Sequence, residues 1–212
     1  MNDSTKSRRA KGEQTRQNIL EATLRLIVAR GHHAVTHRAV AAEAAVNLSL
    51  TTYYFKDLQE LIRHAFEFYS ERTSKAVGDM WTAINSHLDS MSVDTVEQKA
   101  EIADWLATMA AEYILDEFKN KSDNLTLEMT LFYDLHLEKG LRDIGYQLRT
   151  RFKSDFIAVC HRLGSDQPET DAALLLGEVQ RLEYQGLAEG GELTREQIYQ
   201  QLNRLIRLIM KI

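Results

Sequence analysis

An all-α fold is predicted by three observations. Apolar residues recur at helical spacing along the whole chain, no segment sustains the alternation of a strand, and one proline with ten glycines gives too little punctuation for an all-β fold. With 212 residues, 44% of them hydrophobic, the chain can bury a substantial core as one large domain or two smaller ones.

The elements follow in order. Residues 1–11 are polar and basic and are expected to be irregular on their own. A first helix is expected over 12–30, with Ile19, Leu20, Leu24, Ile27 and Val28 on one face and Gly31 ending it in the left-handed conformation. Thr36 can cap a short second helix reaching about 44, and Asn47 a third reaching about 54. Asp57 and Glu60 form a capping box for a fourth, long helix that continues into the 70s or 80s through Leu61, Ile62, Ala65, Phe66 and Tyr69. Further helices are expected over 97–119, 123–139 (ended by Gly140) and 141–163. The only proline, Pro168, opens a helix to about 188, where Gly190-Gly191 breaks it. Thr194 with Gln197 caps the last helix, which runs to about 210. The expected division is 1–56, a basic arm with a helix-turn-helix, and 57–212, a helical second domain.

Charge is divided the same way. The formal net charge is −5, but residues 1–66 hold ten Lys and Arg against six Asp and Glu, a net of +4, and the remainder carries −9. A basic first third in an acidic chain places any nucleic-acid face at the N-terminal end. The sequence MNDSTKSRRAKGEQ has no apolar segment behind it and no run approaches the ~18 residues of a membrane span, so a soluble, cytoplasmic protein is expected. The single cysteine, Cys160, lies in the apolar context FIAVCHRL and reads as a buried, inert thiol.

The stretch THRAVAAEAAVNLSLTTYYF, residues 36–55, carries the functional signal. Small residues where two short helices would cross (Ala39, Ala41, Ala42, Ala44, Ala45) and apolar Val40 and Val46 suit a helix-turn-helix. The second of those helices then presents Leu48, Ser49, Leu50, Thr51, Thr52, Tyr53 and Tyr54 where a solvated surface helix would carry charge. Hydroxyls can bond to base edges or phosphates, methyls can meet thymine methyls, and the helix N-termini at Thr36 and Asn47 can point backbone N–H groups at phosphates, with Lys56 adding charge.

Thr15-Arg16, Ile19-Leu20, Ala22, Gly31, Thr36, Ala39-Val40-Ala41, Val46 and Thr52-Tyr53-Tyr54-Phe55 occur in an order that resembles the DNA-binding domain of the tetracycline-repressor (TetR) family of bacterial regulators, over roughly the first 65 residues. The resemblance implies that Thr36, Tyr53, Tyr54 and Lys56 touch phosphates and that Leu48, Ser49, Leu50, Thr51 and Thr52 face the bases. It leaves two readings for Arg8, Arg9 and Lys11, a flexible arm that reaches an adjacent groove or a tail that only solvates the chain. The chain departs from the family in having Ala45 where the turn usually has Gly, at a cost of about 1 kcal/mol if the backbone is left-handed there. It also has Leu58 in place of an expected Lys.

The resemblance further implies a C-terminal domain that binds a small molecule and dimerises. The stripes Ala172, Leu175, Leu176, Val179, Leu182 and Ile198, Leu202, Leu205, Ile206, Ile209 suit a four-helix bundle between two subunits, although one chain could bury them internally. Bulky residues with a few polar tips on the middle helices, namely Trp105, Met109, Tyr113, Met129, Phe132, Tyr133, His136, Tyr146 and Phe152, are the candidate effector contacts. His32-His33 has no Cys or carboxylate close in sequence, so no metal site is expected, and no cofactor. A Gly-rich phosphate loop, HExxH, GxSxG and CxxC are all absent, so no enzymatic activity is expected. The sequence thus predicts a dimeric regulator, most simply a repressor, that reads a palindromic operator and is released by a small-molecule effector. The alternative is a helix-turn-helix architectural or interaction factor, or an activator, with no effector and no cavity in its second domain.

Overall fold

Helix formation follows the apolar periodicity closely, and its starts and stops are set by identifiable side chains. The computed structural model describes residues 3–92, 94–190 and 192–212, with the side chains of residues 3–5 and of Arg8 outside that description. Among the described residues the regular structure is helical: α1 (Asp3–Arg30), α2 (His37–Glu43), α3 (Leu48–Tyr54), α4 (Leu58–Asp89), α5 (Val96–Asn120), α6 (Ser122–Tyr133), α7 (Lys139–Arg162), α8 (Pro168–Ala188) and α9 (Arg195–Met210), with a short 3-10 turn at His32–Ala34.

Two boundaries differ from expectation. α1 begins at Asp3 rather than near 12, because Gly12 alone does not stop a helix whose neighbours favour it; Thr15 Oγ1 donates back to the Lys11 carbonyl at 2.9 Å. Arg9 and Lys11 are therefore exposed on a helix and not on an irregular arm. The expected contact of the Arg8 side chain lies outside the described residues, as does Gly191 of the expected Gly190-Gly191 break. α6 ends at Tyr133 rather than reaching 139. Asp134 folds its carboxylate back to accept from the His136 N–H at 2.8 Å, a local turn that competes with the helix, and Leu135 points into solvent. The expected caps at Asp57 and Thr194 are formed. Asp57 Oδ1 accepts from Glu60 N at 2.8 Å, and Thr194 and Gln197 form a reciprocal box at the start of α9. A further box, Thr95 with Gln98, opens α5.

The chain divides into two compact units. The first takes the chain to Thr73 together with Met129–Gly145; the second is Ser74–Glu128 with Tyr146–Ile212. The division expected at 56/57 shifts because the opening of α4 belongs to the first unit: Leu61, Ala65, Phe66 and Tyr69 are fully buried. In the first unit these residues join Ile19, Leu20 and Ile27 of α1, Val40 and Ala41 of α2, and Phe55. Arg16 lies over the Phe55 ring at 5.4 Å. In the second unit α5 is central, with Ile102, Ala103, Leu106, Ala107, Ile114 and Phe118 buried with the apolar stripes of α8 and α9. Gly186 is needed in the middle of α8, since a Cβ there would stand 2.3 Å from the Phe118 ring. One polar cluster joins α5 to α9: Asp104 Oδ1 accepts from Tyr199 (3.0 Å), Asn203 (2.7 Å) and Arg207 (3.0 Å). These hydrogen bonds hold the Asp104 carboxyl below its ordinary pKa, although burial acts against them. Cys160 is buried, and burial pushes its thiol up to about 11, which keeps it protonated.

The two stripes expected to pair between subunits are instead buried inside the chain. Ala172, Leu175, Leu176, Val179 and Leu182 of α8 and Ile198, Leu202, Ile206 and Ile209 of α9 are all buried, with Leu205 half-buried. The large apolar residues these two helices leave exposed are Leu174 and Leu208. No described helix is long and apolar enough to cross a membrane.

Candidate nucleic-acid interface and effector cavity

The helix-turn-helix is held from three sides. Thr36 caps α2 by accepting from Ala39 N at 3.1 Å. At the other end, Ala45 N donates to Ala42 O (3.2 Å) and Val46 N to Ala41 O (3.0 Å), the paired bonds of a Schellman turn. That turn places Ala45 at φ 53, so the left-handed conformation is kept although the residue is alanine. Asn18 on α1 supports it by donating Nδ2 to the Ala44 carbonyl at 2.9 Å. Asn47 stands at the N-cap of α3 with extended backbone, but its side chain makes no capping hydrogen bond there.

Seven of the ten residues expected at DNA are exposed outright: Thr36, Asn47, Leu48, Ser49, Thr52, Tyr53 and Lys56. Leu48 is 44% and Tyr53 79% exposed, which is costly for residues of this type on a free surface. Leu50 and Tyr54 are half-buried. The Tyr54 hydroxyl lies against α1, 3.4 Å from where a Cβ on Gly12 would be. Thr51 is a correction: it is fully buried, its hydroxyl donates to the Leu48 carbonyl at 2.8 Å, and it stands 3.2 Å from His37 Nδ1. It fixes α3 against α2 and does not face outward. Thr52, the next residue, keeps its hydroxyl on the exposed side, donating to Ser49 O at 3.2 Å. Arg38, exposed in the first turn of α2, joins this surface and was missed by the sequence reading; its position two residues after the Thr36 cap was the available signal.

The second unit contains a cavity of about 260 Å³. Val77, Met80, Trp81 and Ile84 of α4 form part of its wall, with Met109 and Tyr113 of α5, Phe152 and Phe156 of α7, and Leu175, Leu176 and Val179 of α8. Of the nine residues expected at an effector, Met109, Tyr113 and Phe152 line it. Trp105 does not; it stacks on His87 at 4.1 Å between ring centres. Met129, Phe132, Tyr133 and His136 belong to the first unit, where Tyr133 and His136 are exposed. Tyr146 opens the last segment of the second unit and is 72% exposed. These residues lie away from the cavity because α6 ends early and because helical spacing alone does not say which face of a middle helix turns inward.

The cavity also holds what composition could not show: buried carboxyls among apolar walls. Glu128 and Glu183 line it and are buried, beside the exposed Glu112. Glu128 accepts from Gln180 Nε2 (3.1 Å) and the Tyr184 hydroxyl (2.8 Å), yet burial still pushes it up to about 7. Glu183 has no hydrogen-bond or ion-pair partner among the described residues. Burial first, then the neighbouring carboxyls of Glu128 and Glu117, raise it well above the ordinary range. Glu117 is itself paired with Lys121 at 3.0 Å.

His32 and His33 are also placed differently from expectation. The carboxylate absent from their sequence neighbourhood is supplied by Asp134 from the turn after α6, with His32 Nδ1 3.4 Å from Asp134 Oδ2.

Residues 19–65 match the model of bacterial regulatory proteins of the tetR family. Among curated proteins, the HTH-type transcriptional regulator PksA of Bacillus subtilis (strain 168) is 32% identical over 68 residues, which span 32% of this chain and 33% of that protein. Solved structures share the fold over nearly the full length. A transcriptional regulator from Rhodococcus sp. Rha1 superposes with TM-score 0.66 at 16% identity, covering 92% of this chain and 96% of its own. A TetR family member from Streptomyces coelicolor A3 gives 0.66 at 22%, covering 90% and 97%. The multidrug binding protein EbrR complexed with ethidium gives 0.62 at 22%, again covering 90% and 97%.

Proposed function

We propose that this chain, which belongs to the tetR family of bacterial regulatory proteins, is a dimeric transcriptional repressor whose operator affinity is lowered by a lipophilic, cationic effector. The observation that carries the reading is the double use of α4. One helix, Leu58–Asp89, gives Leu61, Phe66 and Tyr69 to the core of the helix-turn-helix unit and Val77, Met80, Trp81 and Ile84 to the wall of the cavity. An effector that prefers one setting of α4 over another shifts the population of operator-competent molecules by its difference in affinity for the two.

On the DNA side, Leu48, Ser49 and Thr52 meet base edges and methyls from the major groove, with Leu50 at the edge of that face. Tyr53, Tyr54, Lys56, Arg38 and the α2 and α3 N-termini at Thr36 and Asn47 hold phosphates. A seven-residue recognition helix binds weakly alone, so a two-fold dimer on a palindrome is the arrangement that gives useful affinity. The outward faces of α8 and α9, around Leu174 and Leu208, are the surface proposed for that dimer.

On the ligand side, Glu183 supplies an uncompensated carboxyl in a cavity whose walls include Trp81, Tyr113, Phe152 and Phe156. An aromatic wall and a buried carboxyl that can exchange its proton for a bound cation together favour a large cation over a neutral or anionic molecule. The ethidium complex of EbrR is consistent with this class. The factor without an effector is disfavoured by the cavity itself, since its core would be filled.

Selection of duplexes from a random pool, followed by mobility shift at low salt, tests the reading. A palindromic consensus is expected, released by tetraphenylphosphonium, a bulky cation that does not intercalate. Equal binding to all duplexes, or release by neutral isosteres as readily as by the cation, would overturn it.

A further inference from the structure

Outside both surfaces, two turns of the first unit bring nitrogen and oxygen donors together. His32 and His33 lie in the 3-10 turn between α1 and α2, and Asp134 in the turn between α6 and α7. One ligand atom from each of the three lies within 4.8 Å of the others. Successive side chains on a 3-10 turn point about 120° apart, given three residues per turn. The two imidazoles nevertheless sit with ring centres 3.7 Å apart and planes at 42°, turned to one side. Asp134 is held from behind. Its Oδ1 accepts from the His136 N–H at 2.8 Å, which leaves Oδ2 directed at His32 Nδ1, 3.4 Å away. His32 and Asp134 are half-buried and His33 is exposed, so an ion has a path in from solvent.

We propose that His32, His33 and Asp134 form a binding site for a divalent first-row metal ion of the zinc type, tying the α1–α2 turn to the α6–α7 turn. The donor set decides the class. Two imidazoles and one carboxylate suit zinc and its neighbours, whereas magnesium and calcium take oxygen ligands. Bonds of about 2.0–2.2 Å place tetrahedral ligand atoms roughly 3.3–3.6 Å apart. The His32–Asp134 separation already meets that, and a rotation of the exposed His33 ring closes the remainder. Three protein ligands leave the fourth position to water or to His136, the next donor on the same turn. The Asp134–His136 hydrogen bond is the kind of supporting contact that orients a metal-bound carboxylate.

The test is a Co²⁺ titration of the untagged full chain followed by visible absorption, with Zn²⁺ as competitor. One Co²⁺ per chain is expected, with the intense bands of four-coordinate cobalt, lost on adding Zn²⁺. His33→Ala removes an exposed ring, and Asp134→Asn keeps the shape and the hydrogen bond to His136; both are expected to fold, as circular dichroism will show. Each should weaken Zn²⁺ binding by at least about tenfold, since even a supporting partner of a metal ligand is worth that much. His64→Ala serves as the control, because His64 lies 2.8 Å from Glu67 on α4 and is the competing donor cluster. Binding no tighter than millimolar, wild-type affinity in the His33 and Asp134 variants, or loss of binding in His64→Ala alone would overturn the site.

Discussion

The outer face of α3 and the cavity of the second unit break the usual distribution of residues in opposite directions. On α3, apolar and aromatic side chains stand where water should be, with Leu48 44% and Tyr53 79% exposed. In the cavity, carboxyls stand where hydrocarbon should be, with Glu128 and Glu183 buried. Both arrangements cost stability in the free protein, and both are relieved by a partner of complementary chemistry. In the proposed function a DNA groove covers the first, and a cation takes the place of a carboxyl proton in the second. The contrast teaches that a binding surface is recognised by what is wrong with it locally, and that the sign of the error indicates the partner.

The sharpest way to break the comparison is Glu183→Gln. It keeps shape and removes the charge, so affinity for an aromatic monocation should fall about 100-fold, as expected for losing a buried charge partner worth about 3 kcal/mol. Trp81 fluorescence can follow the titration, and operator binding without effector should stay within about twofold of the parent, as an order-of-magnitude expectation for residues with no shared partners.

The pH dependence of the unliganded protein comes next. Glu128 has its folded pKa raised from 4.5 to about 7, and Glu183 is raised as well. The folded state therefore holds protons that the unfolded state has lost. Their contribution is fully present below the unfolded pKa and disappears as pH rises through the folded one. Chemical denaturation should show stability falling between about pH 4.5 and 8, by roughly 3 kcal/mol from Glu128 alone, a slope that the Glu128→Gln, Glu183→Gln double variant flattens. Over the same interval the affinity for a cation should rise, because binding must displace the proton.

Two adjacent threonines and a tyrosine sharpen the other side. Thr51→Ala removes a buried hydroxyl that bonds Leu48 O, so thermal unfolding should show a loss of about 1–1.5 kcal/mol, with operator preference unchanged at every base position. Altered base preference in that variant would return Thr51 to the reading face. Tyr53→Ala should leave the melting temperature alone and weaken binding to all duplexes about tenfold, the pattern of a lost phosphate contact. The smallest effect is expected from Ala45→Gly. The left-handed φ of 53 disfavours alanine, so glycine should raise stability by about 1 kcal/mol without altering the operator consensus.

The helix-turn-helix was legible because it is local. Thr36, the alanine crossing, Val46 and the Thr-Tyr-Tyr-Phe ending fall within twenty consecutive residues, and short-range rules for caps, spacing and small contacts apply directly. Thr51 escaped because one turn of helix has both an inner and an outer face, and with seven residues in α3 the periodicity is too short to say where the boundary falls. The cavity was barely legible. Met109, Tyr113 and Phe152 were found, but Trp81, Glu128 and Glu183 lie on three other helices, and a glutamate in sequence reads as surface. Asp134 was likewise invisible as a partner of His32, since only the turn after α6 brings it there.

What the sequence determined by itself is the helical class, most helix ends, the charge division and the chemistry of α3. All of these rest on interactions between residues a few positions apart. Only the tertiary structure decided which α8 and α9 stripes are internal, which carboxyls are buried, and which unit owns the start of α4. Those outcomes depend on contacts between segments distant in the chain, where burial is a property of the packed helices and not of any one residue.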